Sequence, residues 1–251
     1  MDQLGKVALI AGRGTALETA CAAELIRTGY SVVRAMTVSD APMGASELDG
    51  SPVVDLVANA SSAQAVVEQA RVVHGRLDAL VVFDPSVARG NLRDLSAAAW
   101  NADLERLHTS VCVATAFSSV AETGSAIVML TTIDHAQAYP GRGPSAATAA
   151  ATVGVCRAMA VEWAGRPIRV NVVATGVVLT EEDQRAIDHG DRSLERVLLR
   201  APNHRLGDVE ETARVVRFLL SDQAAFITGQ TVSVDGGWTT LTQHAEGLRF
   251  P

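Results

Sequence analysis

The sequence predicts a single α/β domain built on a doubly wound parallel sheet, and three observations carry that prediction. Short apolar runs alternate with longer, Ala-rich stretches of helical period. Most of the runs are apolar throughout rather than alternating, as strands buried on both faces of a parallel sheet are. Their order, βαβαβα, calls for right-handed crossovers with helices on both faces.

The strand candidates follow in order. "KVALIAG" (6–12) opens the sheet, and "SVVRAM" (31–36), "SPVVDLV" (51–57), "LDALVVF" (77–83), "SAIVMLTT" (125–132), "IRVNVVATG" (168–176) and "GQTVSVDGG" (229–237) continue it. Helix candidates lie between them at 15–28, 62–74, 96–121, 145–164 and 208–221. No internal repeat or linker divides the chain, so one domain over 1–251 is expected. The stretch 180–205 is polar and irregular. It reads as a variable loop over the carboxyl edge of the sheet, where ligands bind in this architecture.

Composition narrows the partners. With 251 residues and 48% hydrophobic content the chain can bury a large core. Acids outnumber bases 28 to 21, a net charge of −7, and no basic run appears, so nucleic acid and anionic membrane surfaces are not expected partners. No apolar run approaches the ~20 residues that span a bilayer. The start "MDQLGKVALIAG" carries no signal-peptide pattern, and the expected location is the cytoplasm. Cys21, Cys112 and Cys156 are far apart in apolar helical patterns, and read as small buried residues in a reducing compartment. No Cys/His/Asp/Glu cluster has metal-ligand spacing, so no metal is expected.

Three longer segments carry a family resemblance. They are "HGRLDALVV" (74–82), "AMAVEWAGRPIRVNVVATG" (158–176) and "RLGDVEETARVVRFLLSDQAAFITGQTVSVDGGW" (205–238). Together they resemble the short-chain dehydrogenases/reductases along nearly the whole chain. The resemblance implies a Rossmann-type sheet and a dimer or tetramer. It does not settle activity, because function lives in the site.

The family pattern also implies where the site should be. The phosphate-binding loop, T-G-x-x-x-G-x-G in the family, reads "AGRGTALETA" (11–20). Gly12 keeps the first glycine, Ala16 replaces the second and Glu18 the third. Glu18 brings bulk and negative charge to the place for two phosphates, although a carboxylate there suits the helix dipole. A cofactor site shifted onto Gly12 and Gly14 is one alternative. The position for a ribose-binding acid falls on Met36, with Arg34 read as a strand arginine paired to an acid. Asp55 matches the family's acid after the third strand. In "VFDP" (82–85), Phe83 and Pro85 would fill the space of the cofactor-lining turn. The tyrosine and lysine of the family fall on Ser145 and Ala149, the strand serine on Thr132, the asparagine on Leu107 and the proline of its P-G turn on Thr175.

These replacements lead to a set of expectations. No residue is assigned a catalytic role; Thr132, Ser145, Ala149 and Leu107 are read as degenerate positions. Gly12, Gly14, Ala16, Glu18 and Asp55 are read as vestiges of a cofactor site, and no cofactor is expected on this chain. The chain then resembles the inactive subunit of heteromeric family members, such as the dehydrogenase of 2-(hydroxybenzyl)succinyl-CoA. Its expected role is a non-catalytic partner of an active NAD(P)-dependent paralogue in a heterotetramer, with a homo-oligomer as the other assembly. The small residues Ala146, Ala147, Ala150 and Gly154 would let a partner helix approach. Rival readings are a small-molecule sensor, an oxidoreductase with a shifted cofactor site, or an enzyme of cofactor-free dehydration, cyclisation or isomerisation. The suspects for that last chemistry are Thr132, Asp134, His135 and Ser145, with His135 as the base for Ser145. His108, His189 and His204 read as locally bonded or solvated.

Overall fold

The computed structural model describes residues 5–36, 47–48, 51–52, 55–57, 59–83, 88–137, 139–178, 198 and 201–241. Seven parallel strands form the main sheet. They are β1 (Val7–Gly12), β2 (Ser31–Met36), β5 (Asp55–Val57), β6 (Ala79–Phe83), β7 (Ala126–Thr132), β8 (Arg169–Thr175) and β9 (Thr231–Val234). Their order across the sheet is β5-β2-β1-β6-β7-β8-β9. The order reverses between β1 and β6, which opens a crevice at their carboxyl ends.

The helices cover both faces. On one side lie α1 (Ala16–Arg27) and α5 (Val209–Leu220); on the other lie α2 (Ala63–His74), α3 (Ala97–Val120) and α4 (Gly143–Glu162). Strand parity divides the core between these layers. Leu9, Leu80, Val82, Ile127 and Met129 join Phe117 and Met159 beneath α2–α4, while Ile10, Val81, Phe83, Val128 and Leu130 join Leu17, Leu25 and Leu219 beneath α1 and α5. Every residue of β1 is buried, as the unbroken apolar runs require.

One strand candidate is divided. Among the described residues "SPVVDLV" is split between two sheets: Ser51–Pro52 (β4) pairs antiparallel with Glu47–Leu48 (β3), and Asp55–Val57 joins the main sheet. Pro52 has no N–H to give to an interior ladder, which confines it to an edge.

Polar side chains lock the element ends. Asp78, nearly buried, accepts from the Val7 N–H at 2.8 Å and from Arg76 at 2.5 and 2.8 Å, tying β1 to the entry of β6. Arg169 donates to the carbonyls of Leu219 and Ser221 at 2.6 and 3.0 Å, satisfying acceptors orphaned at the end of α5. At its other end α5 carries a capping box of Asp208 and Glu211. The Arg205 guanidinium, helped by the Asp208 N–H, pulls the Glu211 carboxyl down to about 2. Cys21 and Cys156 are buried, and burial pushes both thiols up, Cys156 to about 12. Cys112 departs from the expectation by being only half-buried. Among the described residues no helix is long and apolar enough to cross a membrane.

Candidate active site

The glycine loop joins β1 to α1. Thr15 is the N-cap of α1 and Glu18 stands three residues on, a capping-box spacing. The Glu18 carboxylate reaches further back than the cap. Its Oε1 accepts from the Arg13 N–H at 3.0 Å and the Thr15 hydroxyl at 3.0 Å, and its Oε2 accepts from the Gly14 N–H at 2.7 Å. Glu18 is 3% exposed. A side chain at Gly12 would overlap this carboxylate and push it aside. The loop N–H groups and the helix N-terminus, the usual cradle for a phosphate, thus already hold an anion. With Glu18 in this position the loop does not admit a dinucleotide phosphate. Beside the loop, Arg13 Nη1 is buried with no hydrogen-bond partner among the described residues.

The second half of the site sits where β7 ends and α4 begins. After Thr132 the chain makes a short 3-10 turn, Ile133–His135, with the Thr132 hydroxyl accepting from the Asp134 N–H at 3.4 Å. That turn swings the Asp134 side chain back towards the first turn of α4. The Ser145 hydroxyl donates to Asp134 Oδ2 at 2.5 Å, the length of a charge-assisted hydrogen bond. Arg142 Nη1 lies 3.3 and 3.4 Å from the same carboxylate, and Thr132 Oγ1 lies 3.5 Å from Ser145 Oγ. The Asp134 side chain has no exposed surface, and Ser145 is 2% exposed. The two hydroxyls line a cavity of about 10 Å³, shared with Val82, Leu107, Ser110 and Thr148. A space of that size takes one water or one carbonyl oxygen.

The other expected positions fall as follows. Ala149 is buried in α4 one turn beyond Ser145, and Leu107 lines the cavity. Met36 is buried at the end of β2, its methyl 3.0 Å from where a Gly14 side chain would begin. Arg34 Nη2 lies 3.8 Å from the Met36 sulfur, and Asp55 stands in backbone register beside Arg34. Thr175 is buried before Gly176. Phe83 does not fill the cofactor turn: by strand parity its ring enters the core under α1 and α5, and Val82 faces the cavity instead. Pro85 and His189, and residues 180–197 and 199–200 of the variable loop, lie outside the described residues. His108 and His204 are exposed.

His135 does not serve Ser145. Its Nδ1 lies 3.1 Å from the Thr132 carbonyl, and Asp134 takes the place expected for a base. Sequence reasoning missed three further residues. Arg142 is the counter-charge of Asp134. Ser110 turns a buried hydroxyl, with no partner among the described residues, to the cavity wall. Tyr139 donates to Gln137 at 2.5 Å and accepts from Trp238 Nε1, which ties the C-terminal segment to the site. No motif or spacing in the sequence marks any of these three. Among the described residues no group of three or more His, Cys, Asp and Glu could hold a metal.

Comparison with known proteins extends the resemblance. The sequence model of the family described as enoyl-(acyl carrier protein) reductase matches residues 13–239. A 3-oxoacyl-(acyl-carrier-protein) reductase of Escherichia coli is 31% identical over 94% of this chain and 98% of its own length. A solved short-chain dehydrogenase/reductase of Serratia marcescens superposes with a TM-score of 0.83 at 25% identity, covering 95% of this chain and all of the other. A blue fluorescent protein from a metagenomic library, solved in complex with NADPH, shares the fold with a TM-score of 0.83 at 22% identity, over 95% of this chain and 99% of its own. Likeness to named reductases from end to end overturns two expectations. One is that the chain is a non-catalytic subunit; the other is that a cofactor is bound only by its partner. Loss of the family's tyrosine and lysine does not amount to loss of activity, because a site can change its proton-handling groups while keeping its frame. On the family match over residues 13–239 and the likeness along the chain, the chain belongs to the short-chain dehydrogenase/reductase family.

Proposed function

We propose that the chain is an NAD(P)-dependent oxidoreductase that interconverts a carbonyl compound and a secondary alcohol, with Ser145 and Asp134 handling the proton. The 2.5 Å contact between Ser145 Oγ and Asp134 Oδ2 beside the cavity carries this reading. A carbonyl oxygen in the cavity meets two hydroxyls, Thr132 and Ser145, which can donate to it as it becomes an alkoxide. In alcohol oxidation Ser145 passes its proton to Asp134 as it takes up the substrate's hydroxyl proton; in carbonyl reduction the protonated Asp134 returns that proton through Ser145 to the alkoxide, and Arg142 holds the carboxyl group in place. Ala149 adds no charge, so Arg142 is the cation nearest this chemistry among the described contacts. The test is oxidation of NADH and NADPH by the full chain, followed at 340 nm, with a panel of ketones and 3-oxoacyl thioesters. Turnover of any carbonyl substrate is the expected result. No turnover across the panel, with no binding of either nucleotide, would end the reading.

We propose also that the chain assembles as a homo-oligomer. Ala147, Ala150 and Gly154 are exposed on α4, with Val161 at 78% exposure on the same helix. Small side chains there let a helix of a second copy approach closely, and Val161 gives that contact apolar surface. The heterotetramer with an active paralogue was expected for a non-catalytic chain, and an active chain does not call for it. Light scattering on the purified chain should give at least twice the monomer mass; a monomer at micromolar concentration would refute the assembly.

A further inference from the structure

We infer that Glu18 is an internal competitor for the cofactor: its carboxylate occupies the phosphate cradle, and a dinucleotide enters only by displacing it. The inference rests on the proposed oxidoreductase reading for the identity of the ligand, and on geometry for the competition itself.

Three donors define the cradle, and Glu18 takes all of them. The N–H groups of Arg13 and Gly14 and the Thr15 hydroxyl converge on its two oxygens within 3.0 Å. An ordinary capping box would return the N3 carboxylate to the N-cap backbone N–H. Here the carboxylate passes the cap and settles against Gly12, in the close-approach space that the glycine leaves open. It is buried, so it is a lodged group rather than a solvated one. Two anions cannot share one set of donors at one helix end, because their charges repel at contact distance. Arg13, the residue after Gly12 in the same loop, is half-buried, and its Nη1 atom has no hydrogen-bond partner among the described residues. An incoming diphosphate takes up the three donors once the carboxylate swings out.

The device has a readable consequence. Wild-type affinity for nucleotides is reduced by the work of expelling Glu18, and removing its charge or its reach restores the affinity. The experiment is calorimetric titration of the full chain, Glu18→Gln and Glu18→Ala with NADPH, NADH and ADP. ADP carries the diphosphate without the nicotinamide. Glu18→Gln keeps the shape of the cap and guards against a variant that fails to fold. Both variants are expected to bind NADPH or NADH at least tenfold tighter than wild type, about 1.4 kcal/mol, and ADP tighter in parallel. Equal or weaker nucleotide binding by both variants overturns the inference and leaves Glu18 as a cap alone. If no form binds NADPH or NADH, the oxidoreductase reading fails, and ADP decides the competition by itself: tighter ADP binding by the variants upholds it, and unchanged binding overturns it.

Discussion

Ser145→Ala is expected to lower kcat on the carbonyl substrate by ~100-fold or more, the usual contribution of a positioned acid–base group. The substitution removes the hydroxyl that joins the cavity to Asp134, and leaves a methyl in its place. Asp134→Asn should cost a similar factor. The amide is nearly isosteric with the carboxyl group but can neither take the serine proton nor return it. It acts through Ser145, so its signature is a change in the shape of the kcat–pH profile, with KM little altered. The double variant should be no slower than the slower single one, because the two residues act as a unit. Steady-state kinetics across pH for the three variants check this. Losses below threefold, or losses that multiply in the double variant with an unchanged pH profile, would place the proton chemistry elsewhere. Asp134→Asn also weakens the contact to Arg142, so a melting curve belongs with the kinetics. Arg142 is about one-third exposed and can turn to water, which limits the cost to stability.

Phe117→Ala is expected to destabilise the fold by about 4 kcal/mol. Among the described residues Phe117 is the largest of the fully buried side chains, at 0% exposure, packed between α3 and the sheet. Truncation loses the transfer free energy of the ring and leaves a cavity, because close-packed neighbours relax only in part. For a domain of this length the melting temperature should fall by roughly 10 °C. Calorimetric or circular-dichroism melting checks it. A loss under about 1 kcal/mol would mean that the neighbouring helices collapse into the space. The variant also tests the site indirectly. Ser110 and Leu107 lie earlier on the same helix, at the wall of the cavity beside Thr132 and Ser145. Well below its melting temperature the variant should keep its turnover, since no hydrogen bond of the Thr132–Ser145–Asp134 group depends on the ring.

Much of the frame was legible in the residues. The apolar runs from "KVALIAG" to "IRVNVVATG" became strands of one parallel sheet, because burial on both faces demands uninterrupted apolar side chains. The helix candidates stand within about two residues of where they were expected, since caps such as Thr15, Ser96 and Asp208 lie in the local sequence. Where the reading failed, it failed on pairing. "SPVVDLV" looked like one strand, and Pro52 diverted its first half into a two-stranded hairpin. Phe83 looked like a plug for the cofactor turn, and strand parity sent it into the opposite core.

The site divides along the same line. The sequence by itself determined the sheet, the two helical layers and the family, and showed that Ser145, Ala149 and Glu18 stand where a tyrosine, a lysine and a glycine were expected. It determined these because period, cap and motif are properties of residues a few positions apart. Only the tertiary structure decided which groups meet. A 3-10 turn after β7 carries Asp134 to Ser145, eleven positions away, and leaves His135 with a backbone carbonyl. The close approach left open at Gly12 lets the Glu18 carboxylate lodge among the N–H groups of Arg13 and Gly14. Such contacts depend on where the chain turns in space and on which donors remain unpaired there, and no local pattern of residue types encodes either.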